Sequence, residues 1–186
     1  MNKAYETMRG FWLEVKNLQH KEEVPQLGAQ KICVAGVEMT AADDDGKVKH
    51  LLITASSLGN ASIYFENNSP SGLGGFTGGS ASGPVREKSL RLLQTAAKLA
   101  EQLPTVTQLP QPTDPDQVVL FTVSADGTLR ATAVAQISVR TTEHPLYGFF
   151  AYSQQLLGAF RNEQEKAAAA KEPPQTQAAD TTEPKP

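Results

Sequence analysis

Apolar positions along this chain repeat with two different periods. Residues 146 to 160 place Leu146, Phe149, Phe150, Ser153, Leu156, Leu157 and Phe160 at steps of three, one and three, the spacing of one broad helical face. Pro145 stands in front of them, suited to a first helical position where its missing N–H costs nothing. Residues 84 to 103 repeat the pattern through Leu92, Ala96, Leu99 and Leu103, with Pro84 at the start. Near the N-terminus Tyr5, Met8, Trp12 and Val15 form a helical stripe. Phe11, Leu13 and Val15 also alternate as a strand would, and Gly10 weakens a helix, but helix is the preferred reading.

Strand periods occupy the remainder. KICVAGVEMT and KVKHLLITAS flank the turn-forming AADDDG and predict a hairpin, and ASIYFE at 61 to 66 adds a third strand. QVVLFTVS and TLRATAVAQISV flank Ala125-Asp126-Gly127 and form a second hairpin. A two-residue Asp-Gly turn would set Val123 against Arg130. A three-residue loop with Gly127 left-handed pairs Val123 with Leu129, Phe121 with Ala131 and Val119 with Ala133, aligning the apolar faces. That register makes Gly127→Val costly. Ala131, Ala133 and Ala135 then line one face of the last strand, small enough to admit a helix.

These elements predict an α+β fold in the order α-βββ-α-ββ-α, an antiparallel sheet of about five strands with about three helices packed on one face. Residues 1 to 162 read as a single domain, holding a glycine-rich loop at 69–84 and a proline-rich linker at 104–117. From 163 to 186 the sequence contains no aromatic or branched aliphatic residue. AAAAK extends the preceding helix, Pro173-Pro174 ends it, and the rest reads as a disordered low-complexity tail.

Composition narrows the chemistry. A hydrophobic content of 39% supports a packed core, and a net charge of −3 disfavours a nucleic-acid coat, which needs surplus Lys and Arg. Arg86, Lys88, Arg91 and Lys98 share one helix, yet Glu87 and Glu101 dilute them and no aromatic is interleaved for stacking. No run of about 18 apolar residues exists to span a membrane. No signal-peptide pattern opens the chain, so a cytoplasmic protein is expected. Cys33 is the only cysteine, which excludes an internal disulfide and reads as a buried thiol in an apolar run.

Specific motifs fail on spacing. Asp43, Asp44 and Asp45 precede Gly46, but an EF-hand loop counted from that glycine puts Ala41 first and Leu52 twelfth, so no calcium loop is expected. His20, His50 and His144 lack ligand spacing, and no metal or cofactor is expected. His50 reads as a strand residue on the polar face. Ser80 and Ser82 lack a GxSxG elbow or an adjacent base, leaving no catalytic residue to name.

Two binding chemistries remain. The stretch SPSGLGGFTGGSASGP enters a helix start, a place where backbone N–H groups face an anion. Thr77, Ser80 and Ser82 would supply hydroxyls there, and Arg86 and Arg91 charge, for a small anionic ligand. The other is the aromatic-rich last helix, where Tyr147, Phe150 and Tyr152 offer a surface to a protein partner or a second copy. The order of elements is similar to that of the small α+β chaperones of bacterial secretion systems. The favoured expectation is a non-enzymatic interaction module, adaptor-, chaperone- or inhibitor-like; the alternative is the anionic-ligand protein or an enzyme at the glycine-rich loop.

Overall fold

The computed structural model describes residues 1–14, 31–42, 45–67, 69–78 and 82–170. In chain order the elements are α1 (Lys3–Leu13), β1 (Ile32–Ala42), β2 (Val48–Ser56), β3 (Ala61–Glu66), β4 (Leu73–Gly78), α2 (Gly83–Leu99), β5 (Gln117–Ser124), β6 (Leu129–Ala135), the one-turn α3 (Gln136–Val139) and α4 (Tyr147–Ala169). The strands form one antiparallel sheet in the order β4-β3-β2-β1-β5-β6. The α+β class read from the sequence therefore holds, with six strands in place of about five.

The additional strand lies inside the stretch expected to be a glycine-rich loop. β4 pairs along β3 from Leu73 opposite Glu66 to Gly78 opposite Ala61. A Cβ placed on Gly74 would sit 2.4 Å from the Phe65 ring, so the missing side chain makes room for that ring across the strand pair. Glycine here serves close pairing in a sheet, which a count of glycines cannot separate from an open loop.

The second hairpin follows the argued register, with Val123 opposite Leu129, Phe121 opposite Ala131 and Val119 opposite Ala133. Gly127 has φ 86°, the left-handed conformation that this loop demands. The last strand is shorter than its sequence pattern, because Gln136–Val139 turns into α3.

Both faces of the sheet are covered, which corrects the expectation of helices on one face. α2 and α4 pack over Ala35, Val37, Ile53, Ala61, Ile63 and Leu120. On the other face α1 and the proline-rich segment enclose Tyr5, Trp12, Leu52, Tyr64, Leu109, Val119 and Phe121. The central strand β1 is consequently buried from Ile32 to Thr40, and is apolar along that stretch apart from Glu38 and Thr40. A register shift against β5 between Ile32 and Val34 places Cys33, fully buried, on the α1 side.

Residues 104–117 are more than a connection. Val106 N–H donates to the Leu129 carbonyl at 3.0 Å, and Ala131 N–H donates to the Pro104 carbonyl at 3.0 Å. Proline excludes regular pairing, so the segment borrows two ladder bonds along β6 and drops Leu109 into the core. Of the alanines on β6, Ala131 is buried, while Ala133 and Ala135 stay exposed and receive no helix. At the start of α4 the cap residue is Leu146, which leaves Pro145 two positions before the first helical residue, Tyr147, rather than at it. α4 then runs through the alanine-rich stretch to Ala169, as its composition implied. The tail from Pro173, the acids Asp43 and Asp44, and Ser80 lie outside the described residues.

Candidate functional site

Two places in the fold combine chemistry with a defined shape, one on each face of the sheet. The first is a closed polar network under α1. Asn2 caps this helix, its side-chain oxygen accepting from the Tyr5 N–H at 2.9 Å, and its side-chain amide donates to the Gly72 carbonyl. One and two turns further along, Tyr5 and Arg9 face the sheet at helical i, i+4 spacing. Glu38 on β1 meets them there: the Tyr5 hydroxyl donates to its Oε1 at 3.1 Å and Arg9 Nε to its Oε2 at 2.8 Å. Arg9 Nη2 also donates to the carbonyls of Leu109 and Pro110, so one guanidinium joins the helix, the central strand and the proline-rich segment.

His50 and Glu66 complete this network. The imidazole lies 4.0 Å from Glu38 through Nδ1 and 3.9 Å from Glu66 through Nε2, with its ring centroid 5.6 Å from that of Tyr5. Glu66 accepts from the backbone N–H groups of Asn2 and His50. Burial sets the electrostatics. It raises the Glu38 carboxyl above the ordinary carboxylate range, against the pull of Arg9 and the hydrogen bonds from Arg9 and Tyr5. It lowers His50 below the usual imidazole value, with Glu66 pulling the other way, so the ring is neutral at pH 7. Burial first and the Glu38 charge second raise the Tyr5 phenol.

A Tyr, a His, an Arg and two carboxylates are an acid–base inventory, yet the geometry closes around them. Glu38 is 0% exposed, and the side chains of His50 and Glu66 are 5% and 8% exposed. Glu38 lies beneath α1, which a substrate would have to displace to reach it. The network fastens α1 to the sheet, and a buried carboxylate tolerates its position only because Arg9 and Tyr5 satisfy it.

The second place is a groove of about 520 Å³ on the opposite face, between the second half of α4 and the ends of β1 to β4. α2 covers the sheet nearer the β2–β3 turn, where Ser89 Oγ donates to the Asn60 carbonyl at 3.2 Å. α4 packs against α2, with Gly148 of α4 beside Thr95 of α2. Its later turns overhang the sheet without closing on it. The floor is Met39, Leu51, Ile63, Phe65 and Phe76, with Leu157 and Phe160 as the wall. Gln154, Arg161 and Gln164 border it from the helix, and Gln154 Nε2 approaches Met39 Sδ at 3.3 Å. His50 and Glu66 border the far end; Glu66 accepts from the backbone N–H groups of Asn2 and His50, while the His50 Nδ1 is buried without a hydrogen-bond partner among the described residues. A groove of this volume with an apolar floor and a rim of polar residues is a usual form of a recognition site.

The residues picked out from sequence fall elsewhere. Thr77 is on β4 opposite Ser62. Ser82 caps α2, its Oγ accepting from the Val85 N–H at 3.5 Å. The Arg86 stem crosses the turn at Gly59. Arg91 pairs with Glu87 at 2.9 Å on an exposed helix surface. Arg86 and Arg91 are five residues apart, about 140° around a helix, so they do not converge on one anion. Phe150, expected at a partner surface, is 3% exposed and belongs to the core, because α2 covers that side of α4. Tyr152 packs partly against the same core and Tyr147 is half-buried at the helix start. His50 is on a strand as read, but buried, because α1 covers the face expected to be polar.

Tyr5, Arg9, Glu38 and Glu66 were not legible as a group. The available signal was Glu38, the one acidic residue in an apolar run that had to be a central strand, since such a charge requires partners. The groove residues carry no motif; they are ordinary strand and helix apolar positions. No protein-family model matches this chain, and no curated protein matches it.

Proposed function

We propose that this chain is a non-enzymatic cytosolic protein–protein interaction module, adaptor-, chaperone- or inhibitor-like, that receives apolar side chains of its partner in the groove beneath α4. The observation that carries this reading is the groove itself: Leu51, Phe65, Phe76 and Leu157, each part-exposed, line it over buried Met39 and Ile63, an apolar recess shaped to take a side chain. Tyr5, Arg9 and Glu38 support a non-catalytic role, being hydrogen-bonded to one another in fastening α1. Among the described residues no helix is long and apolar enough to cross a membrane. A single cysteine that cannot form an internal disulfide suits the cytosol.

The test is affinity capture from the native lysate with the whole chain and with Leu157→Glu, which adds a charge to the groove wall. A stoichiometric partner held by the parent chain and lost by the variant supports the reading. Equal capture by both, or no capture by either, sinks it.

A further inference from the structure

The groove adjoins an open strand edge. β4 is the outermost strand on its side of the sheet, and among the described residues nothing pairs with its outer edge. Its sequence, LGGFTG, contains no charged residue and no proline, the two usual protections against strand addition. The other edge is protected: residues 104–106 lie along β6, and Arg130 Nη1 donates to the Leu103 carbonyl at 3.0 Å. Phe76 of β4 is also part of the groove floor. A strand laid along β4 therefore brings every second side chain to the groove side, at the two-residue period of a strand.

We infer that the groove and the β4 edge form one site, which binds an extended peptide segment of a partner as a seventh strand, with apolar side chains at alternate positions entering beneath α4. This rests on the reading of the groove as a partner site and names the partner's chemistry. Backbone hydrogen bonds to β4 supply sequence-independent affinity, and the groove supplies selection. A second copy of the chain is the poorer occupant. Its own β4 presents Gly74 and Phe76 on the groove face, too little side chain for a space of about 520 Å³. A six-residue strand pair alone also falls short of the roughly 1,200 Å² that stable interfaces bury. Exposed Arg161 at the border, which has no ion-pair partner among the described residues, favours an acidic residue flanking the segment.

The experiment selects peptides from a random phage-displayed library on the immobilised full chain, then measures synthetic versions of the selected sequence. The selected peptide is expected to alternate apolar and polar residues and to slow amide exchange within Leu73–Gly78. N-methylating every second peptide amide should abolish binding in one register and leave it within about threefold in the other, because only one set faces β4. Phe76→Ala should weaken binding about tenfold. Binding that Leu157→Glu abolishes, but that leaves β4 exchange unchanged and tolerates N-methylation in both registers, overturns strand addition and keeps the groove reading. Self-association through β4 detected by sedimentation, with no peptide selected, overturns the inference in favour of a second copy. Selected peptides indifferent to both Leu157→Glu and Phe76→Ala overturn the inference and the groove reading together.

Discussion

On its α1 face the sheet is sealed around a buried charge; on its α4 face it is left open around hydrocarbon. Glu38 on β1 is closed over by α1, and Arg9 ties that helix in turn to the proline-rich segment. The groove beneath α4 has a floor and one wall. The contrast follows from what each face costs when incomplete. A buried carboxylate with a missing partner costs several kcal/mol, so a half-built network does not persist. Apolar surface left in water costs only about 25 cal/mol per Å², so an open groove is affordable and remains available for a partner. The sealed face specifies position and the open face leaves a site.

Breaking the sealed face should have the largest effect. Arg9→Ala strips Glu38 of its cation and frees two carbonyls, and should lower unfolding stability by about 3–5 kcal/mol in urea denaturation. If the loss is under about 1 kcal/mol, the network is not what fastens α1. Replacing the network as a unit by Tyr5→Phe, Arg9→Met and Glu38→Leu should recover most of that loss, because no buried charge or hydroxyl is then left without a partner. On the open face, Leu157→Gln exchanges a half-exposed side chain and should cost about 1 kcal/mol or less. Any partner bound in the groove should be lost with it.

The smallest effect concerns pH. His50 is lowered by burial, so below its ordinary value of 6.5 the unfolded chain binds a proton that the folded chain refuses. Stability therefore rises with pH up to about 6.5 through this group and is flat above it. Glu38 acts in the opposite sense: its raised carboxyl gives the folded chain the extra proton just above the ordinary carboxylate range, and that contribution declines as pH rises. Comparing the parent chain with His50→Gln isolates the histidine. The difference should change in favour of the parent as pH rises towards 6.5, and a constant difference would mean that His50 accepts its proton when folded.

How much was legible depends on range. The β5–β6 register could be argued from Val123, Leu129, Phe121 and Ala131 because a hairpin fixes partners within a few residues of each other. β4 was hidden because its pairing depends on the Phe65 ring finding space over Gly74, which neither residue announces alone. Of the candidate ligand residues, Ser82 was recognisable equally as a cap, and capping is the role its Oγ takes. Phe150 and Leu157 belong to the same sequence stripe. One is buried in the core and the other lines the groove, a difference that their shared stripe does not reveal.

By itself the sequence determined the α+β class, the hairpins, the left-handed Gly127 and the long last helix, since each follows from periods and turn chemistry acting over a few residues. Only the tertiary structure decided that α1 covers the face opposite α2 and α4, that Glu38 finds Arg9 and Tyr5, and that a groove opens beside the bare edge of β4. These depend on how whole elements are placed against one another, and a placement made by long-range packing leaves no period in the chain.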